Sequence, residues 1–217
     1  MRPFYHQDVK RFHDKFGLLT PPIFTFLPDD LHAFRTAFFR EEHQEYIDSC
    51  NSGDLGTAFD SLIDLVYIIC GAALLHGIDV AEFYEMVETT EAYVYDLFTS
   101  DEPPKAKPGF LTNVNFNEFN RLIDKNIKLY EQAHAETSEE LTRSSLSGLY
   151  QSVMMCASDM GCTAEMWDEM WTDVQRANMS KVRAERPSDS KRGSVWDVVK
   201  PKDWVGPNTD GILEKYL

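Results

Sequence analysis

From Thr57 to Cys70 the chain reads Thr-Ala-Phe-Asp-Ser-Leu-Ile-Asp-Leu-Val-Tyr-Ile-Ile-Cys, and Phe59, Leu62, Ile63, Val66, Ile69 and Cys70 put apolar groups on most sides of a helix. A helix that is apolar nearly all round must be enclosed by other elements. The rest of the chain supplies them at the same period. After a short first helix, Pro21-Pro22 and Pro28 interrupt the chain, and Asp29 or Asp30 can then cap a helix over 31–50. Further helices are expected over 80–98, 116–135, 138–160 and 163–182, with a turn at 51–56. Pro103, Pro104, Pro108 and Gly109 make 99–109 a loop. Few alternating runs occur outside the tail, so the fold class is all-α, a helical bundle. The stretches 65–81 and 149–164 look alike, each an apolar helix, a glycine and a short turn, as amphipathic hairpins generally do.

Charge narrows the partners. With 21 Lys+Arg against 36 Asp+Glu the net charge is −15, which disfavours nucleic acid because a polyphosphate needs a basic footprint. No secretory signal is expected at the start, and the apolar stretch 62–75 contains Asp64 and is expected to be too short for a bilayer. Cys50, Cys70, Cys156 and Cys162 show no metal-binding spacing and suit a reducing cytoplasm. After residue 182 the chain becomes irregular and locally basic, with Arg183, Arg186, Lys191, Arg192, Lys200 and Lys202.

Within the buried helix the acids stand out. Asp60 and Asp64 are four apart, and Glu42 and Glu45 on the preceding helix are three apart, so each pair shares a face. If the two helices form an antiparallel hairpin about Gly53, residues equidistant from the turn lie side by side, and the pairs meet within one helical turn. Four carboxylates converging against Phe59, Leu62 and Ile63 repel one another, and burying each uncompensated charge costs several kcal/mol. A divalent cation removes that cost, and an all-oxygen set favours Mg²⁺ or Mn²⁺ over zinc. Without a cation, such acids would have to be a solvated helix face.

Glu42-x-x-Glu45 followed by Asp60-Ser-Leu-Ile-Asp64-Leu-Val-Tyr resembles the all-α nucleoside triphosphate pyrophosphohydrolases, the MazG-like and phosphoribosyl-ATP pyrophosphohydrolase-like superfamily. The lead-in Arg35 to Glu42, the segment Gly71 to Ile78 and the closing Val174 to Lys181 are similar as well, and the segment Arg192 to Pro201 looks like phage-encoded members. The similarity spans about 12–78 and 146–213. It implies one domain over 1–217: an acidic hairpin at 31–78, an insertion at 79–145, closing helices at 146–182 and a basic tail at 183–217. One position departs from the family pattern. Ser61 stands where a Glu is usual, so Asp60 would have to serve from four before Asp64.

The resemblance implies metal-dependent cleavage of a (d)NTP to (d)NMP and pyrophosphate, in phage nucleotide-pool metabolism with a purine (dGTP-like) nucleotide as one candidate. Catalytic and metal-binding roles fall to Glu42, Glu45, Asp60 and Asp64, with Mg²⁺ or Mn²⁺ as cofactor. Substrate contacts fall to Asn178 and Lys181, joined by Arg192 and Lys200 of the basic tail. A homodimer or homotetramer in the cytoplasm (the host's, if phage-encoded) is implied, with no nucleic acid or membrane partner. Two alternatives stand beside it, a phosphoribosyl-ATP pyrophosphohydrolase and a catalytically silent helical dimerisation module. Glu41 reads as a partner of the metal-binding acids or, the reading favoured, as a plain surface acid, and Trp167 and Trp171 as core. Trp196 and Trp204 read as stacking or dimer-packing side chains, and His13, His43 and His76 as structural or exposed.

Overall fold

A computed structural model describes residues 5–87, 115–194 and 196–216. Its helices are α1 (Tyr5–Phe16), α2 (Asp29–Ser52), α3 (Leu55–Leu75), α4 (starting at 80 and described to 87), α5 (Asn115–Ala135), α6 (Glu139–Asp159), α7 (Ala164–Met179) and the short α8 (Thr209–Leu213). The fold is all-α. Part of the helix expected over 80–98, and all of the loop at 99–109, lie outside the described residues.

Local chemistry sets the helix ends. Asp54 caps α3 by accepting from Thr57 N at 3.0 Å, Ser138 caps α6 through Leu141 N, and Thr163 caps α7 through Met166 N. Each such cap contributes about 1 kcal/mol. α2 differs from expectation. Pro28 occupies the cap position without a side-chain bond, and Asp29 and Asp30 lie inside the first turn, where the helix dipole favours acids. α7 stops at Met179, three residues short of the expected end.

The two similar stretches end alike for a local reason. Gly77 N donates to Leu74 O and Ile78 N to Ala73 O, while Gly161 N donates to Ser158 O and Cys162 N to Ala157 O. Both are left-handed glycine terminations, at φ 78° and 81°, a motif that closes helices of any origin.

α3 is the axis of the bundle. It is long and apolar enough to cross a membrane by length and composition, contrary to the expectation for 62–75. However, 89% of its most apolar window is buried inside the protein. It packs against α1, α2, α6, α7 and α8. α5, placed by sequence in an insertion, is part of this core: Ile123, Ile127 and Tyr130 are buried, and the helix packs on α6 and α2. All four cysteines are buried thiols.

The tail folds back over the α2–α3 hairpin. Strand β1 (Val182–Arg183) pairs antiparallel with β2 (Val198–Val199), in register Val182 to Val199, with a 3-10 turn (Pro187–Asp189) between them. This pairing returns Lys191, Arg192 and Asp197 to α2, and α8 then rests on α3 and α7.

Candidate active site

Two stripes, one on each helix of the hairpin, face one another. On α2, Arg35, Phe38, Glu42 and Glu45 follow at spacings of three and four, and on α3 so do Asp60, Asp64, Tyr67 and Gly71. Glu42 is buried, Asp60 and Asp64 are partly so, and Glu45 is exposed. Burial, then the charges of Asp64 and Glu45, push the Glu42 carboxyl up to about 9. Burial, then Asp64, push Asp60 up to about 7, with Glu45 adding to the effect. Asp64 is raised by burial, against the pull of Lys181, Lys200 and Arg192. Asp64 and Glu45 thus act on both Glu42 and Asp60, which links the four acids electrostatically. Ser61 turns inward and donates its hydroxyl to Thr57 O at 2.9 Å, whereas Asp60 accepts from Thr209 Oγ1 at 3.4 Å. Asp60, not position 61, belongs to this face.

Among the described residues no three acidic, His or Cys side chains already stand as a ligand set for a metal ion. The donor chemistry still suits a hard divalent cation. The side chains are all-oxygen, and their mutual repulsion and burial hold protons on Glu42 and Asp60 that a cation would displace.

The basic residues come from the tail and the end of α7. Lys181 and Lys200 lie 5.8 and 4.3 Å from the Trp204 ring centre, and Trp204 Nε1 donates to Ala177 O at 2.8 Å. Burial lowers the Lys181 ammonium, with Asp64 acting against it. Arg192 lies 3.8 Å from the Phe38 ring centre, donates to Glu41 at 2.7 Å, pairs with Asp197 at 3.2 Å and comes within 3.8 Å of Glu42. It is thus engaged with carboxylates and not freely displayed. Glu41 is not the plain surface acid expected, because Lys191 and Arg192 both bind it.

Beside Asp64 opens a cleft with about 60 Å³ of space open to water. Phe12, Phe34, Phe38, Tyr67 and Trp196 form aromatic walls, while Asp64, Asn178 and Lys181 join the cleft to the acidic cluster. Asn178 is buried, as is Asp197, which accepts from Ser190 Oγ at 2.8 Å. Trp196 is thus placed where a ring could stack, Trp204 carries the two lysines, and Trp167 and Trp171 are core. His43 meets Asn120, and His76 bridges Thr25 O and Tyr130 OH, both structural positions.

Two cleft residues, His13 and Arg35, were not assigned to the site from the sequence. His13 is buried in this wall, and its Nδ1 lies 3.3 Å from Leu19 O. Arg35 is 8% exposed, and among the described residues no carboxylate pairs with it. Burial draws its guanidinium down to about 10, so it is charged at neutral pH. The helix spacing from Arg35 through Phe38 to Glu42 was the signal that could have found it.

Residues 9–91 match the family model described as phosphoribosyl-ATP pyrophosphohydrolase. No curated protein and no solved structure matches the chain. The matched stretch is less than half of the chain, yet it contains the larger part of α1 and all of α2 and α3, and so all four acids. Residues 9–91 are therefore similar to a family of pyrophosphohydrolases, enzymes described as acting on a nucleotide phosphoanhydride.

Proposed function

We propose that the protein cleaves a (d)NTP to (d)NMP and pyrophosphate with Mg²⁺ or Mn²⁺, its base lying in the aromatic cleft. The observation that carries this reading is that Asp64 and Glu45 act on both Glu42 and Asp60, that Lys181 and Lys200 act on Asp64, and that Asp64 and Lys181 line the cleft. Glu42, Glu45 and Asp64 are the residues to hold the cation, with Asp60 as a further ligand or as the base. The cation, when bound, supplies charge neutralisation for the phosphate oxygens and acidifies a bound water. Lys181 and Lys200 meet the triphosphate's charge, and Asn178 fixes the nucleotide beside Asp64. In the base role, Asp60 orients a water and takes its proton as the water oxygen bonds to the α-phosphorus. The α–β bridge then breaks, and pyrophosphate leaves with the bond's electron pair. Arg192, already spanning Glu41, Glu42 and Asp197, holds the tail on the site and can shift toward phosphate.

The homo-oligomer, the cytoplasmic location and a place in phage nucleotide-pool metabolism belong to the same proposal, the last supported by the 192–201 segment. One observation favours a second reading: the matched family is named for phosphoribosyl-ATP. A single assay separates them. The protein is incubated with NTPs, dNTPs and phosphoribosyl-ATP plus Mg²⁺ or Mn²⁺, and the products are resolved chromatographically. Monophosphate and pyrophosphate from an NTP or dNTP are expected, and Glu45→Ala and Asp64→Ala are expected to lose turnover while staying folded. Diphosphate with orthophosphate would overturn the proposed cleavage, turnover of phosphoribosyl-ATP alone would favour the second reading, and no turnover would leave a silent helical module.

A further inference from the structure

The least explained group in the molecule is the Arg35 guanidinium. It is more than nine-tenths buried and lines the cleft; the Phe34 ring centre lies 5.9 Å from it, and among the described residues its Nε has no hydrogen-bond partner and no carboxylate pairs with it. A buried charge left without a carboxylate partner costs several kcal/mol, and an aromatic face offsets only part of it, so an arginine with only a structural role would be expected to carry one. Asp197 acts on it only through space, being itself held by Arg192 and Ser190. Gly71 sharpens the picture. A Cβ placed there would stand 3.3 Å from both Arg35 Nη2 and His13 Nε2, so the absent side chain lets the two groups converge. Leu19 O can only accept, so His13 Nδ1 carries the proton and His13 Nε2 presents a lone pair. The cleft thus holds a fork of donors next to one acceptor, between flat aromatic walls.

We infer that Arg35 and His13 read the base of the bound nucleotide and select one with two adjacent hydrogen-bond acceptors beside a donor. This rests on the cleft being the base site of the proposed reaction. Aromatic walls accept a planar ring, and a guanidinium fork matches two acceptors side by side. Guanine and hypoxanthine offer O6 and N7 with N1–H adjoining, and cytosine offers O2 and N3 with its 4-amino group. Adenine presents an amino group where O6 would be, and uracil and thymine alternate acceptor and donor. The pair therefore also speaks against an adenine nucleotide such as phosphoribosyl-ATP.

The test measures calorimetric binding of GMP, IMP, CMP, AMP and UMP to the wild-type chain, to Arg35→Met and to Arg35→Lys. In parallel, kcat/KM is measured for the matching triphosphates. The wild type is expected to prefer GMP and IMP, or CMP, over AMP and UMP by roughly ten- to a hundredfold. In both variants the affinities should converge, since lysine keeps the charge and loses the fork. If the guanine arm holds, 7-deaza-GMP should bind the wild type about tenfold more weakly than GMP, and Arg35→Met equally. Preference for CMP with equal GMP and 7-deaza-GMP binding assigns the cytosine edge instead. Arg35→Met should melt no lower than the wild type, because it removes a buried charge that no carboxylate pairs with. Equal binding and equal kcat/KM across the bases, or a preference that survives in both variants, overturns the inference. Base selectivity in binding without turnover would keep it while overturning the hydrolytic reading.

Discussion

Thr137 is the one non-glycine residue at positive φ, 48°, among the described residues. It closes α5 in the same way that glycines close α3 and α6, with Ser138 N donating to Ala133 O. A Cβ in the left-handed region costs roughly 1 kcal/mol, so Thr137→Gly should raise stability by about that amount in urea unfolding. A loss of stability would mean that the threonine side chain contributes more than its backbone costs. At this scale the acids were legible, because Asp60 and Asp64 interrupt a helix with no other reason to carry charge. Arg35 was not. An arginine on a helix reads as surface until the fold shows that α3 and the returning tail cover it. Glu41 was misread for the same reason, since its partners Lys191 and Arg192 lie 150 and 151 residues away.

The α2–α3 hairpin brings these side chains onto facing stripes. Gly53, at φ 79°, closes α2, and positions equidistant from it meet: Glu42 faces Asp64, and Arg35 faces Gly71. That register followed from the sequence because helix geometry and a short turn determine it. The role of α5 did not. Phosphohydrolase resemblance made 79–145 an insertion, but Tyr130, hydrogen-bonded to His76, shows that α5 completes the core. The hairpin's acids also predict a pH effect in the cation-free chain. Glu42 is raised from 4.5 to about 9, so the folded chain binds more protons than the unfolded one across that window. Its contribution to stability is present at low pH and is lost as pH rises toward the folded value. With a chelator present, Glu42→Gln should therefore gain stability relative to the wild type between about pH 5 and 9, by at least about 1 kcal/mol. A constant difference across that range would show that Glu42 is not burdened by its neighbours.

For the whole molecule, three buried histidines set the acid limit. His6 and His76 are lowered from 6.5 to about 4, and His13 to about 3, in each case first by burial. The unfolded chain binds more protons there, so stability falls as pH drops below 6.5 and continues to fall toward those folded values. Melting temperature, followed in the Glu42→Gln background with chelator, should decline steadily over that range; a flat profile down to about pH 4 would contradict it. The net charge of −15 looks different in this light: part of it is concentrated at one face of two helices, and Arg192 and Lys200 of the tail act on that same face. The central claim is that this face directs water onto the α-phosphorus. Turnover in ¹⁸O-water with Mg²⁺ or Mn²⁺, read by mass spectrometry of both products, tests it most directly. The label should appear in the nucleoside monophosphate and not in pyrophosphate; label in pyrophosphate or in orthophosphate would contradict it.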